Sequence, residues 1–249
     1  TPSYNSLFRD LRYTGYDRIG DNRGISIGLT TSYYTINGRP ILSASLGKTV
    51  HFKDRQVNFG ITPGIDPTAN SSPLFATLKT KYRNFDINAK YEYDTNATRS
   101  NRGYISIRYA STERAIINFT YTLTDSSIQR NRFLRPEEES DISFFWPFTN
   151  KVNLIGRWNY AWDSQQTIES LIGVEYNACC WSTRLVFRRN LKEPRRIGVT
   201  MASGELEYYT DKRAESGIYL ELKLRGLASL GGRLDSLIQD SIPGFTGKR

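Results

Sequence analysis

Few side chains in this sequence can do covalent chemistry. The stretch EYNACCWSTRLVF (175–187) holds both of its cysteines, Cys179 and Cys180, as immediate neighbours. A thiol can form a disulfide, ligate a metal or act as a nucleophile, and each use needs a partner within reach. Neighbours on an extended chain point to opposite faces, whereas a relaxed disulfide wants Cα atoms about 5.5 Å apart with converging Cβ vectors. The two are therefore a poor pair for each other. The single histidine, His51 in KTVHFK, has Thr49 as its nearest same-face hydroxyl and no evident nucleophile. Two adjacent cysteines and one distant histidine make no zinc site. An enzyme is not expected, nor is a metal or cofactor.

The remaining chemistry is electrostatic. Thirty-four Lys and Arg against 25 Asp and Glu leave a net charge of +9, which favours anionic partners such as nucleic acid or phosphorylated lipid. No localised basic stripe or RNA-binding motif is present, so no nucleic acid is expected. Only 38% of the residues are hydrophobic and mean hydropathy is −0.52. No run approaches the roughly 18 apolar residues of a spanning helix, and no signal peptide opens the chain. Yet there are 16 Tyr, 12 Phe and 4 Trp. A transmembrane β-barrel reconciles these facts, because its strands show lipid only every second residue.

Period-two alternation is the dominant pattern. In KVNLIGRWNYAWD, Val152, Leu154, Trp158, Tyr160 and Trp162 alternate with Asn153, Arg157, Asn159 and Asp163. In FDINAKYEYD, Phe85, Ile87, Ala89, Tyr91 and Tyr93 alternate with Asp86, Asn88, Lys90, Glu92 and Asp94. The pattern predicts about eleven antiparallel strands, at 25–35, 41–52, 74–82, 85–94, 103–110, 115–125, 140–148, 151–163, 167–178, 181–191 and 217–226. Their lengths suit tilted membrane strands of about 9–11 residues better than a soluble sandwich, whose strands run to about 5–6. Short connections alternate with longer ones at 53–73, 95–102, 126–139 and 192–216. That is the pattern of tight periplasmic turns and longer outer loops.

Parity also locates the cysteines. The apolar set is even before them (Ile172, Val174, Tyr176) and odd after them (Trp181, Leu185, Phe187), so the chain reverses there. Cys179 and Cys180 then sit on a tight hairpin facing an oxidising periplasm. Two disulfides to elements outside this sequence are favoured over two unbonded thiols. About eleven strands cannot close alone, since single-chain bacterial barrels have even strand numbers and an open edge in lipid is costly. The opening TPSYNS lacks Met, so the chain is expected to be a mature segment or a piece of something longer.

The segments NACCW (177–181), LFRDLRYTGYDRIGDNRGISIGLT (7–30) and GIYLELKLRGLASLG (217–231) resemble the lipopolysaccharide-assembly outer-membrane protein D family (LptD, also called Imp or OstA). The resemblance implies an all-β fold: the C-terminal portion of a 26-stranded barrel preceded by a periplasmic β-jellyroll. It implies that Cys179 and Cys180 bridge to two N-terminal cysteines absent here. It implies lipopolysaccharide as cargo, with tails leaving through a seam between the first and last strands and sugars passing the lumen. The implied partners are the lipoprotein plug LptE in the lumen, the N-terminal jellyroll, the periplasmic transport bridge and outer-membrane lipids. The expected layout is an outer loop over 1–24, strands and loops over 25–227, and a periplasmic tail over 228–249. The segment SLIQDSIPGF (236–245) is expected at the periplasmic rim.

Under that resemblance the last strand supplies half of the seam. That strand starts at Gly217; Ile218, Leu220, Leu222 and Leu224 would face lipid, and Glu221, Lys223 and Arg225 would face the lumen. ESGIYLEL (215–222) also resembles the recognition strand of the barrel-assembly machinery. Candidate lumenal contacts to phosphate or carboxylate groups are Lys79, Lys81, Arg108, Arg157, Arg184 and Arg188, set against a plainly solvated polar wall. Residues 7–22 mix charges with apolar side chains, which suggests a loop folded over or into the barrel mouth. The rival reading is a general porin or uptake channel with a basic lumen; it needs no cysteine anchor.

Overall fold

The computed structural model describes residues 3–9, 21, 23–57, 66–112, 115–128, 138–191, 195–200, 206–211, 213–224, 228–230 and 234–246. Fourteen strands follow one another: β1 (Gly24–Tyr34), β2 (Pro40–His51), β3 (Leu74–Tyr82), β4 (Phe85–Asp94), β5 (Arg99–Thr112), β6 (Ala115–Thr124), β7 (Glu138–Pro147), β8 (Val152–Ala161), β9 (Gln166–Asn177), β10 (Trp181–Leu191), β11 (Arg195–Thr200), β12 (Leu206–Asp211), β13 (Ala214–Leu224) and β14 (Ala228–Leu230). A 3₁₀ turn (Tyr4–Phe8) precedes them and one helix, α1 (Leu234–Ser241), follows. Twelve strands form one sheet in the order β1 to β10, then β13 and β14; among the described residues β11 and β12 pair with each other in a separate two-stranded sheet. Among the described residues β1 and β14 end the order. No described helix is long and apolar enough to cross a membrane.

The alternation of the sequence becomes two unlike faces. On one face Ile172, Leu185, Phe187, Ile218 and Leu220 are exposed. On the opposite face of the same strands Glu175, Ser182, Arg184, Val186 and Glu221 are buried. A soluble sheet hides its apolar face; this one hides its polar face, as a lipid-facing sheet does. Aromatic side chains gather near both strand ends: Trp158, Tyr160 and Trp162 touch in series, tilted and then edge-on, with ring centroids 5.4 and 5.0 Å apart, and Tyr176 meets Trp181 at 5.3 Å. Leu185 lies between these groups, opposite Val174 and Leu220. Leu185→Arg is therefore expected to lower stability in lipid vesicles by about 2–4 kcal/mol, the cost of a base near the bilayer midplane. A denaturant titration checks it; an unchanged midpoint would place this face in water.

Eleven of these strands stand where the alternation predicts them, and three features lie beyond it. β5 begins at Arg99, earlier than the alternation implies, because polar pairs extend its ladder: Asn101 Nδ2 donates to Glu92 Oε1 at 3.0 Å and Tyr91 Oη meets Ser100 Oγ at 2.5 Å. The segment read as a loop over 192–216 contains the β11–β12 hairpin, with Gly198 opposite Tyr208. The short β14 extends the sheet past β13, pairing at Leu222, Lys223 and Leu224.

The chain divides into two compact units. In the first, which contains β1 to β4, the 3₁₀ turn packs on the polar-parity face of β1 and β2. Gly28 and Gly47 are opposite each other in register and leave room for it. A Cβ on Gly28 would lie 2.4 Å from Phe8 Cζ and 2.7 Å from Tyr4 Oη; one on Gly47 would lie 2.8 Å from Tyr4 Cε2. Ser26 Oγ donates to the Leu7 carbonyl at 2.7 Å, and Tyr4 Oη meets Thr30 Oγ1 at 2.9 Å. Of the segment expected to fold over or into the barrel mouth, Leu7 and Phe8 contact this face; Leu11, Tyr13, Tyr16 and Ile19 lie outside the described residues.

In the second unit, which contains β7 to β10 and β13, register lines up rows across the inner face. Phe145, Ile155, Gly173, Val186 and Tyr219 form one row. Asn153, Glu175, Arg184 and Glu221 form a second, nearer the cysteine hairpin. Tyr219 at the end of the first row is exposed, but from Phe145 to Val186 the row is a dry strip on an otherwise polar wall. It is covered by α1 and the residues after it: Leu234, Ile238, Ile242 and Phe245 are buried with Ile116, Phe145, Ile155, Leu171 and Val186. The spacing Leu234, Ile238, Ile242 sets these side chains on one stripe. Pro243 and the left-handed Gly244 (φ 89°) follow the helix, and Asn118 Nδ2 donates to the Pro243 carbonyl at 3.1 Å. The tail thus lies along the inner face, not at the rim, because the strip offers apolar cover that a rim position lacks.

Candidate functional site

The cysteine hairpin is built from below. Ala178 N–H donates to the Trp181 carbonyl at 2.9 Å, closing the turn between β9 and β10, and Asn177 N–H donates to the Lys151 carbonyl at 2.7 Å, tying the turn's base to the start of β8. Asn177 Nδ2 donates to Glu175 Oε1 at 2.6 Å, and Asn153 Nδ2 reaches the same oxygen at 3.0 Å. Arg184 Nε holds the other oxygen of Glu175. A buried carboxylate with all these donors is rigid, so the turn above it is held in place. Cys179 and Cys180 crown this turn, exposed, with Sγ atoms 3.0 Å apart, a contact and not a bond. Exposure at a fixed hairpin is what attack by another thiol or disulfide needs.

Arg184 is the centre of the polar row. Its side chain is 4% exposed and contacts three carboxylates: Glu175, Glu221 (3.3 Å) and Asp235 of α1. Lys223 joins the same cluster, bonding Asp235 and lying 3.6 Å from Glu221. Burial pushes the Asp235 carboxyl up, but hydrogen bonds from Lys223 and Arg184 outweigh it and hold the group below the usual carboxylate range. The helix therefore presents a charged carboxylate to the wall at neutral pH. A second network lies further along the strands. Arg157 binds Asp141 at 2.6 Å and Glu169 at 2.8 Å, and Arg188 Nε donates to Glu169 at 2.5 Å.

The six bases singled out from sequence thus differ in setting. Arg157, Arg184 and Arg188 meet carboxylates of the wall, and Arg108 pairs with Asp86 at 3.1 Å. Lys79 and Lys81 are exposed and form no ion pair among the described residues. On β13, Ile218, Leu220 and Leu224 are exposed on the apolar face, Glu221 and Lys223 turn inward, and Arg225 lies outside the described residues. Among the described residues no group of three or more His, Cys, Asp or Glu could hold a metal.

Asp235 and the Tyr4–Phe8 turn were not legible as wall contacts. The stripe in LDSLIQDSI was the available signal, but stripes do not say which face they cover. For the turn, Gly28→Val with Gly47→Val is expected to leave β1 and β2 paired, since valine suits strands, while freeing Tyr4–Phe8. Limited chymotrypsin cleavage there should rise about tenfold or more, equivalent to about 1.4 kcal/mol of local stability. Unchanged cleavage would mean the turn is not seated on the glycines.

A family model described as LPS transport system D matches residues 1–162. Among curated proteins, the LPS-assembly protein LptD of Alcanivorax borkumensis is 32% identical over 98% of this chain, and that of Saccharophagus degradans is 31% identical over 98%. The LptD of Pseudomonas syringae pv. tomato is 29% identical over 98%. The chain spans 30%, 28% and 29% of these relatives' lengths respectively. A solved mutant of Rhodopseudomonas blastica porin overlays 82% of the chain at a TM-score of 0.37 and 8% identity, too distant to bear on function. With a matched family model over most of the sequence and a lipid-facing antiparallel sheet beneath the cysteine hairpin, this chain belongs to the LptD family.

Proposed function

We propose that this chain is part of an outer-membrane barrel that delivers lipopolysaccharide to the outer leaflet. The match to the LPS transport family over residues 1–162 carries this reading. The unlike faces of the sheet support it, since the cargo needs an apolar route for acyl chains and a hydrated one for sugars. In this reading β13, flanked by β14 at Leu222–Leu224, is the C-terminal side of a lateral seam whose other side belongs to the barrel's first strands. Tails leave between them while the saccharide passes along the polar face. Residues 25–227 span the membrane, 1–24 lie at the outer mouth, and the C-terminal tail starts on the periplasmic side.

Cys179 and Cys180 would each bridge to a cysteine in the N-terminal part, fixing a periplasmic jellyroll that receives cargo from the transport bridge. A lipoprotein plug (LptE) would occupy the lumen beside α1. Lys79, Lys81 and Arg108 are candidate contacts for anionic sugar substituents, with Arg157, Arg184 and Arg188 acting through the networks that hold them. Each such contact would be individually modest when hydrated.

The test is depletion of the full-length protein in a Gram-negative host. Newly made lipopolysaccharide should then stop reaching a cell-impermeant surface label, while uptake of small solutes is unchanged. Normal surface labelling with a fall in solute uptake would instead favour a channel.

A further inference from the structure

The strand assigned to the seam is tied to β10 in two ways. On one side β13 pairs with β10 over the whole run from Trp181–Leu224 to Leu191–Ala214. On the other, among the described residues, only β14 pairs with it, and only at Leu222, Lys223 and Leu224. A second attachment comes from α1. The Asp235 carboxylate bonds both Arg184 of β10 and Lys223 of β13, so one helix residue ties two strands together. The helix has eight residues, too short to persist alone in water, so its order depends on docking.

Docking is lopsided. The flank over Ile155, Val186 and Phe145 is dry, and the Phe145 and Phe245 rings lie 4.8 Å apart. Further along the strands the packing is open: a cavity of about 280 Å³ lies between Leu234, Ser236, Leu237, Asp240 and Ser241 and the wall residues Arg157 of β8, Arg188 of β10 and Tyr219 of β13. The open space on that side, lined by charged and hydroxyl groups, leaves room for the helix to shift.

We propose that residues Leu234–Phe245 are a releasable strap that controls how firmly β13 stays on β10. Docked, the strap covers the apolar strip and locks the cluster around Arg184. Undocked, it loosens β13 and bares an apolar strip on the inner wall. The proposal concerns this strand's mobility; its meaning for transport rests on the seam reading above.

The experiment uses the full-length protein in lipid vesicles. A photo-cross-linking residue at position 237 reports docking, and hydrogen exchange of β13 amides reports strand mobility. In the otherwise native protein, position 237 should cross-link to the β7–β10 wall; absence of that cross-link overturns the proposal. Ile238→Asp should abolish the cross-link and accelerate β13 exchange by about tenfold or more, with β8 and β9 unchanged. Lost cross-linking with unchanged β13 exchange refutes the strap. Should Ile238→Asp not assemble, Asp235→Asn decides: the cross-link should persist while β13 exchange rises several-fold, and unchanged exchange again refutes it. Surface delivery of lipopolysaccharide is scored separately, so failure of the transport reading cannot be mistaken for failure of the strap.

Discussion

Arg184→Leu is expected to destabilise the protein by about 3–5 kcal/mol, because it removes the cation that Glu175 pairs with and leaves Glu221 only the more distant Lys223 at 3.6 Å. Glu175 and Glu221 are 3% and 4% exposed, and Arg184 is the group both of them contact. Leucine would pack adequately; the loss is electrostatic, the desolvation of two negative charges. Adding Glu175→Gln and Glu221→Gln to the leucine variant should recover much of the loss, since a neutral row no longer holds unpaired charge. Arg184→Lys should not, because an ammonium cannot span Glu175, Glu221 and Asp235 with one planar fork. The measurement is denaturant unfolding of the full-length protein in vesicles, followed by tryptophan fluorescence. A change below about 1 kcal/mol, the scale of exposed pairs, would show that the row is hydrated. Since Glu175 also anchors Asn177, the same variant should loosen the cysteine hairpin.

Serine at both Cys179 and Cys180 is the second large change. In the full-length protein, oxidised material should migrate differently on a denaturing gel with and without reductant, and the double serine variant should show no such difference. Closing a loop of about 100 residues by a disulfide is worth about 4.7 kcal/mol in the chain-entropy account. Two lost bridges would therefore release the N-terminal part from the barrel turn, and surface delivery of lipopolysaccharide should fall sharply. Single serine variants separate the two bridges by the size of the remaining shift. Identical migration of the unaltered protein with and without reductant would remove the anchoring role and favour a channel that needs none.

By itself the sequence determined the strands and their two faces. Ile172, Val174 and Tyr176 against Trp181, Leu185 and Phe187 already encode the reversal that carries the cysteines, because side chains on a strand alternate with period two and a turn resets the phase. The same rule placed Arg157, Arg184 and Arg188 on the inner face. Only the tertiary structure decided what those arginines meet. Arg184 is 9 residues from Glu175, 37 from Glu221 and 51 from Asp235, separations over which sequence pattern has no reach. It also decided where the tail goes. LDSLIQDSIPGF reads as a short amphipathic helix in any setting. That it covers Phe145, Ile155 and Val186 follows from strand register, which aligns those residues into one dry strip where each strand alone shows a single apolar residue on a polar face. Alternation is local, written into consecutive residues; the strip and its strap are sums over five strands, and exist only once the ladder has set their register.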